Sequence, residues 1–170
     1  PFLRHKTWVH EGGIATPLIA HWPQAIRAAG TLRRDAAHVI DVVPTIVELA
    51  GGELPSEIDG THVPTPPGIS LVPALLGSGD VEHETLWWLH EGNRAIRIGD
   101  WKLVAAADEP WELFNLAHDR TETHDLASEF PARVEIMAAA WQTQRDANRE
   151  LALRDLDAET TTPERSRRDQ

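Results

Sequence analysis

The residues best suited to chemistry crowd into the first segment of this chain. Lys6 is followed, after four intervening residues, by Glu11-Gly12-Gly13, and the apolar run Pro17–Trp22 then closes on Pro23. A lysine beside a glycine-rich turn can hold an ammonium against an anionic ester oxygen, as a compact charge with three donors. On residue type alone, an ordinary solvated lysine fits as well. His5, His10 and His21 flank the same segment. Their mixed spacing within one short window does not describe a metal triad, and neutral hydrogen-bonding roles are expected of them. His90 ends a Trp-rich run and precedes a glycine turn, which places it at a strand end where it could touch a substrate. The chain has no cysteine, so it has neither a disulfide nor a thiolate metal site.

Bulk composition narrows the classes. The 170 residues suffice for an ordinary domain with a real core. A hydrophobic content of 41% with 25% charged residues is that of a globular protein. The net charge of -11 argues against nucleic acid as a partner, which would need a basic face. It argues equally against a polybasic membrane contact. No apolar run approaches the length of a membrane span. Seven Trp and no Tyr is an unusual balance. Indoles bury large areas and suit a core first, a sugar or aryl pocket second.

The elements that must position these residues follow from periodicity. Pro17–Trp22 reads as a short buried strand ended by Pro23. Asp41 reads as the N-cap of a helix carrying Val43, Ile46, Val47 and Ala50 on one face and closed by Gly51-Gly52. Residues 53–68 read as an irregular loop, and a short helix from Ser70 should end at Gly77. Thr85–His90, Arg94–Ile98, Trp101–Val104 and Trp111–Leu116 then predict an antiparallel meander of about four strands. Within it, Trp87 and Trp88 face opposite sides, and Asp100 and Lys102 are expected on the hairpin surface. Phe130, Val134, Met137 and Trp141 form one helical stripe, expected to cover this sheet. From about Leu151 the text is charged and aperiodic and reads as a disordered tail.

Several segments, in order, carry a resemblance. Lys6 with Glu11-Gly12-Gly13 and the Trp22-Pro23 ending resembles the active-site lysine segment of the sulfatases, arylsulfatase type, in the alkaline phosphatase superfamily. Asp41-Val42-Val43-Pro44-Thr45 with Glu48-Leu49-Ala50-Gly51 resembles that family's Asp-x-x-Pro-Thr helix. Asp59-Gly60 and Gly68–Leu75 resemble its next segment. Arg94–Leu103 resembles its C-terminal hairpin, and Trp111–Leu116 with Asp119, Glu122 and Asp125-Leu126-Ala127 completes the series. The resemblance covers about residues 1–145.

The resemblance implies an α/β fold, the C-terminal part of an alkaline-phosphatase-like sulfatase. Residues 1–80 would be the remainder of the large catalytic domain, 81–150 a small sheet-plus-helix subdomain, and 151–170 a tail. It implies hydrolysis of a sulfate ester to an alcohol or phenol and inorganic sulfate, with Lys6 on the sulfate and His90 near the leaving group. It implies a formylglycine nucleophile and calcium or another divalent cation. The Cys/Ser-x-Pro-x-Arg signature that yields formylglycine is absent; Ser128–Arg133 has one residue too many. No metal ligand is assigned in this chain. The nucleophile and ligands are expected upstream of Pro1, in a missing N-terminal part of the same protein, and the chain alone is expected to be inactive. The substrate would be a sulfate-ester small molecule or a sulfated glycan. The alternatives are a phosphoester or phosphonate hydrolase of the same superfamily, and a non-catalytic binding module. The compartment is left open.

Overall fold

The structure, a computed structural model, describes residues 2–28 and 30–154. Its centre is a four-stranded antiparallel sheet in simple sequential order: β3 Leu86–His90, β4 Asn93–Ile98, β5 Trp101–Ala105 and β6 Glu112–Asn115. The meander expected from alternation is present within a residue or two at each end. Its turns have the backbone that twisted hairpins demand. Glu91 and Gly92 are both left-handed (φ 50 and 81), so two residues reverse the chain between His90 and Asn93.

Register assigns the two faces. Leu86 pairs with Arg97 and Trp88 with Ala95, while Lys102 pairs with Phe114 and Val104 with Glu112. One face therefore carries Trp88, Ala95, Lys102, Val104, Glu112 and Phe114. The other carries Trp87, Ile96, Ile98, Leu103 and Leu113. Helix α4, Pro131–Arg154, covers the second face. Met137 and the 5% exposed Trp141 pack there on Ile96, Leu103 and Leu113, with Val134 beside them. Reciprocal bonds fix the helix to β3: Trp87 Nε1 donates to the Trp141 carbonyl and Trp141 Nε1 to the Trp88 carbonyl, both at 3.1 Å. Phe130, expected within the stripe, instead precedes the helix and stays 41% exposed, edge-on to Trp101. The helix continues through 151–154; residues 155–170 of the expected tail lie outside the described residues.

The first face is covered by the N-terminal segment. Val9 lies among Ala95, Val104, Phe114 and Leu116, with Ile14 and Trp88 alongside. Helix α1 is the single turn Glu11–Ile14. After it the chain gives no strand. Pro17–Trp22 is irregular and exposed, Ile19 at 88%, against the expectation of a buried strand. The reason is pairing. A strand needs a neighbour for its N–H and C=O groups, and no described strand pairs with this run. No large parallel sheet exists among the described residues, so the segment has no seat.

Residues 38–77 form a small clasp. A 3-10 turn Val39–Asp41 leads into α2, Val42–Leu49, and α3 spans Val72–Leu76. Between them a minimal hairpin, β1 Glu57–Ile58 with β2 Thr61–His62, lies in an otherwise irregular, exposed stretch. Gly51 and Gly77 close the two helices in left-handed conformation, as expected. Asp41 stands at the N-cap position of α2, as expected, but its side chain makes no cap hydrogen bond there. Its carboxylate accepts the N–H groups of His38 (2.7 Å) and Ile69 (3.0 Å), and His83 Nε2 lies 2.8 Å away. Thr45 Oγ1 accepts the Leu71 N–H at 2.8 Å. The Asp-x-x-Pro-Thr motif thus staples segment 69–71 onto the start of α2. Gly68 makes the approach possible, since a Cβ there would stand 2.1 Å from the Ile40 carbonyl. Among the described residues no helix is long and apolar enough to cross a membrane.

Candidate functional site

Residues 3–8 form a loop across the first face of the sheet, and Lys6 sits in it. Arg4 and Lys6 both adopt left-handed backbone, φ 58 and 55. Such conformations cost energy outside glycine and persist only where neighbours impose them. Here Gly12 and Gly13 impose them. A Cβ at Gly12 would stand 1.9 Å from the Arg4 carbonyl, and one at Gly13 1.7 Å from that of Trp8. The Gly12 N–H donates to the Leu3 carbonyl at 3.0 Å, closing the loop. The two glycines are therefore required by close backbone approach, not by a positive φ of their own. The Lys6 side chain is exposed, and among the described residues no carboxylate pairs with it. Its neighbour Arg4 is different: it pairs with Glu109 at 2.6 Å.

His90 is exposed at the end of β3. Asn93, absent from the sequence expectations, connects it to the lysine loop. Its Nδ2 donates to the His90 carbonyl (3.0 Å) and to the Thr7 carbonyl (3.2 Å), and its Oδ1 accepts the Ala107 N–H (3.2 Å). One buried amide thus ties the residue after Lys6 to the β3–β4 turn. An Asn directly after the Glu91-Gly92 turn was the only sequence signal for this.

The three N-terminal histidines do not converge. His5 lies by Trp8, with ring centroids 5.4 Å apart, and His21 is exposed in the unpaired segment. His10 is fully buried, its Nε2 3.1 Å from Glu112 Oε2. Burial lowers its pKa and outweighs the opposing pull of Glu112 and Glu122. His38 is likewise lowered, chiefly by burial. Asp41 lies below its ordinary value; burial opposes its charge, but His83 and the Ile69 and His38 N–H groups prevail.

Lys102 corrects the sequence reading most directly. Expected on the surface, it is 0% exposed, with Nζ 3.0 Å from Glu11 Oε1 and 2.9 Å from Glu122 Oε1. Strand parity carried the signal: Lys102 shares its face with inward Val104, and register sets it beside Phe114. Asp100, by contrast, is exposed as expected.

The residues present do not build the metal and nucleophile sites that the resemblance implies. Among the described residues no three His, Asp or Glu side chains are grouped to hold a cation. The buried carboxylates are already engaged, Glu11 and Glu122 by Lys102 and Asp41 by His83 and two backbone donors.

Comparison with known proteins gives concordant results. Residues 3–66 match the family model described as N-sulphoglucosamine sulphohydrolase, C-terminal. An uncharacterized sulfatase of Schizosaccharomyces pombe is 30% identical over 143 residues, covering 80% of this chain and 26% of that protein. Arylsulfatase A of Bos taurus is 29% identical over 149 residues, covering 71% of the chain and 28% of its own length. The chain thus spans about a quarter of the curated relatives it matches. Among solved structures, the crystal structure of Ps i-CgsB superposes with a TM-score of 0.59 at 24% identity, over 73% of this chain and 27% of that one. At that identity the likeness is one of fold.

Proposed function

We propose that this chain, whose sequence and fold are those of the C-terminal portion of sulfatases, supplies the sulfate-facing lysine of a sulfuric ester hydrolase. The overall reaction adds the elements of water to a sulfate ester. The S–O bond to the organic group breaks, water oxygen joins sulfur, and a proton ends on the departing alcohol or phenol. Negative charge builds on the leaving oxygen as the bond opens. The Lys6 ammonium stabilises that charge and the sulfate oxygens by direct hydrogen bonds. His90, at the strand end tied to the same loop, contacts the leaving group.

A formylglycine and a divalent cation supply the nucleophile and the sulfate-orienting charge in the resemblance. This chain's described residues hold neither, so no step here runs through them. In this reading residues 1–80 are the remainder of the large domain and 81–150 the small subdomain. The core lies mostly within 81–141, and the N-terminal segment packs onto its sheet through Val9. Of the buried hydrophobic residues, only Val9, Leu71 and Val72 fall within 1–80, the others within 81–141. The substrate class is a sulfated sugar or a small sulfate ester, the former favoured by the sulphoglucosamine description of the matching family model.

The observation that carries the reading is the state of Lys6: exposed, without a carboxylate partner among the described residues, and held left-handed over two glycines that admit no side chain. The test is steady-state kinetics in an active sulfatase carrying this segment, with aryl sulfate and aryl phosphate assayed in parallel. Lys6→Ala is expected to depress sulfate turnover selectively. Equal turnover by the variant, or a preference for phosphate, would count against the proposal.

A further inference from the structure

The sequence contains two lysines, Lys6 and Lys102. One is exposed, with no carboxylate partner among the described residues; the other is wholly enclosed, and nothing in the proposed chemistry uses it. A buried ammonium is costly unless paired and fully hydrogen-bonded. Lys102 is paired on two sides: it donates a hydrogen bond to Glu11 Oε1 at 3.0 Å, and Glu122 Oε1 stands 2.9 Å away as an ion pair. Arg120 reaches the second oxygen of Glu11 at 3.3 Å. Glu122 Oε2 in turn accepts the Glu11 backbone N–H at 2.7 Å. Glu11 is therefore gripped by both its carboxylate and its main chain, through residues of β5 and of the loop after β6.

The grip transmits to Lys6 through backbone. Gly12 and Gly13 follow Glu11 without slack, because the carbonyls of Leu3, Arg4 and Trp8 occupy the space where side chains would stand. The Gly12 N–H holds the Leu3 carbonyl at 3.0 Å. A displacement of Glu11 therefore moves both ends of the loop that carries Lys6. Stability alone does not account for such a network, since well-packed apolar replacements of buried ion pairs are often as stable or more so. Fixed position is what such a buried charge pairing adds.

We propose that Lys102, through Glu11 and Glu122, is the positioning residue for Lys6, setting the loop in which the sulfate-facing ammonium stands. This inference rests on the reading of Lys6 given above, and its test separates the two.

Residue-resolved hydrogen exchange on the 170-residue chain compares the native sequence with Lys102→Met and Glu11→Gln. Lys102→Met is expected to speed exchange at Gly12 and Gly13 by about tenfold or more, while the β4 and β5 amides of Ile96 and Leu103 stay within about twofold. Glu11→Gln keeps the shape and weakens the pairing. It is expected to give the same local pattern to a smaller extent, and it serves if Lys102→Met does not fold. Uniform acceleration through sheet and loop, or none at the two glycines, overturns the proposal whatever Lys6 does. In an active sulfatase carrying this segment, both variants are expected to lower kcat with KM held within about threefold. A released loop with unchanged kcat also overturns the positioning role. Lys6→Ala with normal turnover instead overturns the reading of Lys6 itself.

Discussion

A left-handed backbone at a non-glycine residue costs energy, and Arg4 and Lys6 both carry it within one short loop. The loop tolerates this because two glycines lie directly beneath it and Asn93 holds the Thr7 carbonyl. The consequence for Lys6 is a fixed backbone that carries a water-facing ammonium. Removing one preorganised donor of this kind costs roughly 2.7–4 kcal/mol of transition-state stabilisation. Lys6→Ala in an active sulfatase carrying this segment is thus expected to lower kcat by about a hundred- to a thousandfold, with little change in melting temperature. Lys6→Arg should not fully restore it, because a planar fork places its donors differently from a compact ammonium. Single-turnover rates for the two variants check both statements. His10 gives a second prediction at this scale. Burial keeps it neutral and lowers its pKa from 6.5, so below that value the unfolded chain binds the proton more readily. Its contribution to stability is full above about pH 6.5 and declines as pH falls toward the lowered folded value. His38, shifted the same way, adds to the effect. Melting temperatures between pH 7.5 and about 5 should therefore fall, and His10→Gln should flatten part of that slope. A slope identical in the variant would remove His10 from the account.

Among the elements, helix α4 and the sheet behave as one unit. Trp141 contributes its ring to the apolar cluster, its N–H to the Trp88 carbonyl and its own carbonyl to Trp87. Truncating a buried Trp costs about 3–5 kcal/mol. Trp141→Ala is expected to unfold the sheet and helix together, seen as loss of near-ultraviolet circular dichroism. Phe130→Ala, at an exposed position, should cost far less. The contrast between these two residues also shows what sequence could tell. Spacing placed both on one stripe, yet the helix begins at Pro131, so Phe130 lies outside the periodic segment. The four strands were legible because alternation and left-handed turn residues are local properties. The faces of Ile96 and Ala95 followed from parity alone. Lys102 obeyed the same parity, but its charge suggested the surface, and its partners Glu11 and Glu122 lie far away in sequence. Asp41 was similar: its residue type fits an N-cap, while its actual donors include Ile69 and His83, which no local rule connects to it. Local pattern read the four-stranded sheet and the helices, though not the unpaired Pro17–Trp22 run; long-range charge pairing, which sets the candidate site, was not readable from it.

At the scale of the molecule, apolar residues divide unevenly. Those buried lie mostly within 81–141, whereas Leu18, Ile19, Trp22, Leu32, Val39, Val42, Val43, Ile46 and Leu49 are exposed. Grouped apolar exposure of this extent marks a surface adapted to be covered. Two expectations follow for the chain as it stands. First, Leu18→Lys with Ile19→Lys should leave the melting temperature nearly unchanged, because exposed substitutions usually shift stability by no more than about 0.5 kcal/mol. The same pair should reduce binding of a hydrophobic dye. A large loss of stability would mean that the run is packed. Second, the 170 residues should show no turnover of an aryl sulfate, with or without added calcium. The ground is chemical. The chain has no cysteine and no Cys/Ser-x-Pro-x-Arg sequence to furnish a nucleophile, and the buried carboxylates among its described residues, Glu11, Glu122 and Asp41, are committed to Lys102, His83 and backbone donors. A lone ammonium can stabilise a leaving oxygen but cannot attack sulfur. Calcium-dependent release of a phenol by the purified chain would require a nucleophile within these residues, and it would overturn the proposal that this portion supplies Lys6 and its support but not the attacking group.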